Sequence, residues 1–279
     1  MTLRLSKRLA EVAEPLEPAA DAVQSAVKTV PQPVRDVLDG VWLGAPLHPA
    51  LTDVPPGAWS AAALLDVIGS DSADAALAVG VLAAVPAAAT GLNDWSHLKG
   101  EPQRLGLVHA LLNTMALTLN IGSLALRRNG NRGLGRMLSG VGYLGVLFSA
   151  HLGGQLSFGL GVRVNRTAWE SPSDSYTPVL DESELEGGRL CRAEVDGDAV
   201  LVTRSMRTGE VCAIAATCSH LGGPLDDGER DGDTVVCPWH GSRFDVCSGE
   251  VEGGPAVFPQ PRYEARVRAG RVELRAARS

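Results

Sequence analysis

The chain has 279 residues, of which 45% are hydrophobic, and a formal net charge of −7. A net acidic chain without a basic stripe excludes a nucleic-acid-binding surface, and this length allows one or two domains. The charge is uneven: residues 178–279 hold 18 acidic and 12 basic side chains, against 14 and 13 in residues 1–177.

Residues 1–44 are mixed polar and apolar and lack the basic segment, apolar core and cleavage site of a signal peptide. Leu9, Val12 and Leu16, then Val23, Val27 and Val30, form amphipathic sets divided by prolines. An interfacial helix bearing Lys7, Arg8, Lys28 and Arg35 and a loosely held cytoplasmic arm both fit. Residues 45–165 carry four apolar runs, predicted as spans over about 54–70, 74–91, 105–126 and 138–160. Pro55 and Pro56 suit the first turn of the first helix. A hydrocarbon core of ~30 Å needs about 20 helical residues. A soluble helix keeps a polar face, and Ala75–Gly91 has none. An all-α transmembrane four-helix bundle is therefore expected, in the cell membrane.

Four spans put both termini on one side. That side would hold Lys28, Arg35, Lys99, Arg104, Arg163 and Arg166, against Arg127, Arg128, Arg132 and Arg136 opposite. The excess of cations predicts cytoplasmic termini. His48, His109 and His151 fall toward the same membrane face, and intramembrane ionisable groups mark function or pair with one another. They are candidate ligands of a haem b or neighbours of a quinone. The competing reading is hydrogen bonding between helices.

Residues 166–177 read as a polar linker, either a tether or a strap on the domain that follows. From 178 to 279 the pattern is all-β: strand-like stretches at 189–195, 199–205, 211–216, 234–237, 262–267 and 271–274, separated by Gly and Asp turns. Asp226, Asp227, Glu229, Asp231 and Asp233 form an acidic run, read as a solvated turn or as a docking patch for a basic partner.

Inside this region stand Cys218-Ser-His220 and Cys237-Pro-Trp-His240, a C-x-H-x16-C-x-x-H pattern. Two thiols and two imidazoles point to a metal. One zinc ion would use all four, usually with Cys-Cys and His-His pairing. Pairs that each mix one Cys with one His suit a Rieske [2Fe-2S] centre, with two Cys on one iron and two His on the other. Cys191, Cys212 and Cys247 remain as an odd set without framework spacing. They are expected to be free thiols in a reducing compartment.

Cys218-Ser-His220-Leu-Gly-Gly, Cys237-Pro-Trp-His240-Gly-Ser-Arg-Phe-Asp and Gly253-Gly254-Pro255-Ala256 resemble the two cluster-binding loops and the covering loop of Rieske proteins, over roughly 178–275. The resemblance implies an all-β Rieske (ISP-like) domain with Cys218, His220, Cys237 and His240 as ligands of one cluster. It closely follows ferredoxins of the aromatic-dioxygenase type. Respiratory Rieske subunits brace the loops with a disulfide, and Gly223 and Trp239 stand at those positions. Ser242 occupies the place of a hydroxyl bonded to a cluster sulfide, and Phe244 that of a tyrosine in high-potential members. Trp239 and Pro255 are further neighbours of the cluster. The implied potential is roughly −150 to +50 mV.

A second resemblance covers about 45–165. The His48-Pro start, Asp53, Gly91-Leu-Asn-Asp94-Trp95, His109-Ala-Leu-Leu-Asn113 and Gly153-Gly-Gln-Leu-Ser-Phe-Gly resemble the bacterial four-helix membrane family DUF2231, which supplies no activity. The expected function is a membrane-anchored single-electron carrier between unidentified redox proteins. The alternatives are a subunit of a quinone- or haem-linked oxidoreductase and a non-catalytic sensing or assembly protein. A complete oxygenase would need a mononuclear iron site, and no histidine follows His240.

Overall fold

A computed structural model describes residues 2–170 and 174–277. It divides into two units. One comprises residues 1–31 and 46–162, the other residues 32–45 and 163–279.

The first unit is helical. Helices α1 (Thr2–Ala13) and α2 (Glu17–Lys28) are followed, beyond a segment of the second unit, by α4 (Leu47–Thr52), α5 (Val54–Val67), α6 (Ala73–Trp95), α7 (Glu101–Arg128) and α8 (Arg132–Gly154). A π-turn continues α8 to Gly159. Helices α6, α7 and 132–159 are long and apolar enough to cross a membrane. Helix α5, which lies in the expected span at 54–70, is shorter. Its 14 residues rise only ~21 Å. Its end is fixed by Gly69 at φ 77° and by the bonds Gly69 N–H to Asp66 O and Ser70 N–H to Leu65 O, a left-handed helix terminus. The same end is anchored electrostatically. Arg127, with no exposed side-chain surface, bonds Asp66 and Asp74, while Arg132 pairs with Asp71 and Asp74 and Arg136 with Asp66.

The N-terminal segment 1–44 is not one piece, as the sequence reading had it. Residues 17–28 are a helix seated on the connection between α6 and α7. The buried Gln24 donates to Trp95 O (2.8 Å) and Leu98 O (3.0 Å), and Gln103 donates to Asp21 and Gln24. Lys99 and Arg104 pair with Asp21 and Glu17. Residues 32–45, with α3 (Gln32–Asp39), belong instead to the second unit, because Asp36 and Asp39 bond to Gly254 and Arg163 there.

The second unit is built on two antiparallel sheets. Strands β1 (Thr177–Asp181), β2 (Cys191–Val195), β3 (Asp198–Arg204), β4 (Val211–Ala215), β9 (Arg262–Arg268) and β10 (Arg271–Ala276) form one, in the order β1-β10-β9-β4-β3-β2. Strands β5 (Glu229–Asp231), β6 (Thr234–Val236), β7 (Arg243–Asp245) and β8 (Val251–Gly253) form the other, in sequence order. The long strands overlap the strand-like stretches of the sequence; β10 alternates, whereas residues 200–203 of β3 and 212–215 of β4 are buried on both faces. The short β1, β5, β7 and β8 escape a periodicity argument, since three to five residues hold at most two alternations. Residues 166–170 form a strap: Arg166 N–H donates to Ser219 O at 3.1 Å, and Thr167 is buried.

Cys212 and Cys247 are joined by a disulfide, which corrects their reading as free thiols. Their 35-residue separation matches no framework pattern. The folding of β4 against the β7–β8 turn is what brings them together.

Candidate metal centre

The two loops bearing the candidate ligands are built alike. In the first, Cys218 N–H donates to Gly223 O (2.8 Å) and Gly222 N–H to Cys218 O (2.9 Å). In the second, Cys237 N–H donates to Ser242 O (2.8 Å) and Gly241 N–H to Cys237 O (3.0 Å). Each loop closes at the fourth residue after its cysteine, where the chain turns left-handed: Gly222 at φ 83° and Gly241 at φ 77°. A residue with a Cβ is disfavoured there. Each loop thus presents its Cys and its His on one compact turn.

The structure brings the four candidates together. The rings of His220 and His240 stand edge to face with centroids 5.1 Å apart. His220 is buried and His240 half-buried. Cys218 and Cys237 are both buried and share a hydrogen bond. Donation from Cys218 pulls the Cys237 thiol down, against its burial, with further help from the backbone N–H groups of Trp239 and His240. The same contact, together with burial, pushes Cys218 well above the thiol range. Among the described residues no three His, Cys, Asp or Glu side chains are grouped so as to hold a single metal ion.

The flanking residues complete the cradle. Ser242 has no exposed surface; its hydroxyl hydrogen-bonds Cys218 and accepts from Ala256 N–H at 3.1 Å. Phe244 is fully buried in the same core as Cys218, Cys237 and Cys212. Trp239 is 56% exposed and meets His240 edge to face. Pro255 follows a cis peptide bond in the covering loop. Its carbonyl accepts from Arg163 at 2.8 Å, and Asp36 accepts the Gly254 N–H. Asp36, Asp39 and Arg163 carry no signal in the sequence that ties them to this site. They lie more than 90 positions from Pro255 and match no cluster motif.

The acidic run is not a free patch. Asp233 is buried. Burial disfavours its charge, but hydrogen bonds from Arg207, Ser205 and the Met206 and Arg207 backbone outweigh this and hold its carboxyl far below the usual range. Asp226 pairs with Arg192 and Asp231 with Arg243.

In the helical unit, both ring nitrogens of His109 are engaged. Nδ1 donates to Ser149 O at 2.8 Å, and Asn113 donates to Nε2 at 3.0 Å. His48 Nδ1 donates to Ala87 O at 2.9 Å, with the ring packed on Gly91. His151 is exposed on α8. The residues shared with the DUF2231 pattern are thus largely helix–helix contacts. They include Trp95, whose Nε1 donates to Gln103 O and whose ring lies on Gly106.

The family model of the Rieske [2Fe-2S] domain matches residues 175–264, and that of the predicted membrane protein DUF2231 matches residues 44–166. Ferredoxin CarAc of Metapseudomonas resinovorans is 34% identical over 98 residues, 35% of this chain and 90% of that protein. Apoptosis-inducing factor 3 of Mus musculus is 29% identical over 111 residues, which are 39% of this chain but only 18% of the mouse protein. Among solved structures, the ferredoxin of carbazole 1,9a-dioxygenase from Nocardioides aromaticivorans is 32% identical. It covers 37% of this chain and 99% of its own, with a TM-score of 0.34. The family match identifies residues 175–264 as a Rieske [2Fe-2S] domain. The chain belongs to the Rieske [2Fe-2S] family, its C-terminal Rieske domain preceded by a DUF2231 membrane-protein domain.

Proposed function

We propose that Cys218 and Cys237 hold one iron of the cluster and His220 and His240 the other, and that the protein is a membrane-anchored carrier of single electrons between redox proteins. The carrying observation is the convergence of two thiols and two imidazoles on paired loops of equal construction. When bound, the cluster supplies a one-electron couple whose potential depends on its ligands, on hydrogen bonds to sulfur and on solvent exposure. The chain's own contribution is to hold the sulfurs dry over a buried core, to give Cys218 a hydroxyl donor, and to leave the His240 side half-exposed for a partner. Relatives that are ferredoxin components of dioxygenase systems suggest an oxygenase as that partner. The α6, α7 and 132–159 helices support anchoring.

The electron paramagnetic resonance spectrum of the reduced, purified chain tests the assignment. A Rieske signal that is lost in Cys218→Ser and His240→Ala supports it, and a chain that holds zinc instead refutes it. The alternative of a haem-linked subunit gains nothing from His109, since a metal at either of its nitrogens would displace Ser149 or Asn113.

The excess of cations favours a cytoplasmic Rieske domain. A second reading rests on the Cys212–Cys247 disulfide, which suits an oxidising compartment. Three crossing helices would also put the termini on opposite sides. Labelling of the free Cys191 in intact cells with a membrane-impermeant thiol reagent decides between them.

A further inference from the structure

One peptide of the covering loop is gripped at both ends. The Pro255 carbonyl accepts from Arg163 Nη1 at 2.8 Å. The N–H of the same peptide, that of Ala256, donates to Ser242 Oγ at 3.1 Å. The Ser242 hydroxyl in turn hydrogen-bonds Cys218. Arg163 is itself fixed: Nη2 donates to the Asp39 carbonyl at 2.7 Å, and Nη1 lies 3.4 Å from Asp39 Oδ1. Both side chains are buried, 6% and 0% exposed. Asp36 steadies the preceding residue through Gly254 N–H at 2.8 Å.

A guanidinium on a carbonyl oxygen draws charge along the peptide and makes its N–H a stronger donor. Chains of hydrogen bonds strengthen one another in this way, by about 10–30% per bond. A Ser242 oxygen that receives a stronger bond gives a stronger one through its own hydrogen. Hydrogen bonds to cluster sulfurs tune the potential; a stronger donor stabilises the more negative, reduced form.

We propose that Arg163, held by Asp39, is a positioning residue for electron transfer: through the Pro255–Ala256 peptide and Ser242 it strengthens the hydrogen bond to Cys218 and raises the reduction potential of the cluster. The inference rests on the assignment of Cys218 as a ligand. Asp39 and Arg163 lie outside the Rieske match at 175–264, in the segments where the chain enters and leaves the helical unit. A free-standing Rieske domain would therefore lack this control.

The test is a redox titration of the full chain in detergent, followed by visible circular dichroism. Arg163→Gln is expected to make the cluster harder to reduce by about three- to tenfold, the upper figure being 59 mV for one electron. Arg163→Lys, which keeps the charge, should restore much of that loss. Ser242→Ala should lower the potential by itself, and adding Arg163→Gln to it should change little, because both act along one path. Hydrogen exchange at the Ala256 amide should quicken in Arg163→Gln. Shifts that add fully in the double variant, or an unchanged potential in Arg163→Gln, overturn the inference. If Arg163→Gln does not retain a cluster, Asp39→Asn and Arg163→Lys carry the test, and unchanged Ala256 exchange in both overturns it. A wild-type chain that forms no [2Fe-2S] cluster defeats the ligand assignment instead, so the two failures are distinct.

Discussion

A methyl group at position 223 measures how tightly the two cysteine loops press together. A Cβ on Gly223 would lie 2.8 Å from Cys237 Sγ and 3.0 and 3.1 Å from Cγ and Cδ2 of Trp239. Ordinary carbon contacts are about 3.5–4.0 Å, so the neighbours must retreat by roughly 0.5–1 Å. Neither does so easily. Cys237 is a short side chain whose sulfur is tied to Cys218. The Trp239 atoms concerned are at the root of the indole, where swinging the exposed ring moves them little. Gly223→Ala is therefore an overpacking change, expected to cost about 1–3 kcal/mol. For a domain of this size that lowers the melting temperature by about 5–20 °C. Thermal bleaching of the visible cluster absorption in the full chain reads the effect. Trp239→Ala in the same chain should recover part of the loss, leaving the contact with the sulfur. A Gly223→Ala protein that bleaches at the wild-type temperature would refute the reasoning. So would a Trp239→Ala background that leaves the loss unchanged.

Phe244→Tyr places a hydroxyl in the fully buried core beside the cysteines and should raise the potential by about 60 mV, a tenfold change for one electron; a titration showing no rise refutes the assigned place of Phe244. Peptide mapping without reduction should recover Cys212 and Cys247 as one linked species. Cys247→Ser should destabilise the Rieske unit by about 2–4 kcal/mol, given the 35-residue separation, as read by denaturant unfolding against wild type. Burial, and secondarily the charge of Asp198, raises the Glu170 carboxyl from 4.5 to about 7. Its folded pKa thus exceeds its unfolded one, so the folded state holds a proton that the unfolded chain releases. Stability should fall as pH rises from about 4.5 through about 7. Glu170→Gln should flatten that part of the melting-temperature profile, and an unaltered profile counts against a buried acid there.

Much of the β unit is legible in the residues because its long strands are short apolar runs bounded by Gly and Asp turns. In β3, Leu201 faces one core and Val200 and Val202 the other, while Val272 and Leu274 share one face of β10. The apolar helices are legible for a different reason, since Ala75–Gly91 offers no polar face to water. What escaped were contacts between positions remote in the chain. Asp233 looked like one acid in a solvated run, yet it closes the turn at 205–208 through bonds no local pattern encodes. A hydropathy run does not show where the helix in the expected first span stops. Gly69 and the Arg127–Asp66 pair decide that.

The sequence by itself determined the candidate donor set, two Cys-His pairs on short glycine-bearing loops, because ligand chemistry is written in residue type and spacing. It also determined that apolar helices precede an all-β region, because burial is periodic along each element. Only the tertiary structure decided that Cys212 meets Cys247, that Gly223 must be small because Trp239 lies over it, and that Asp39 and Arg163 reach the peptide above Cys218. Such contacts depend on how distant segments pack. Packing is a property of the whole unit that no local stretch of residues contains.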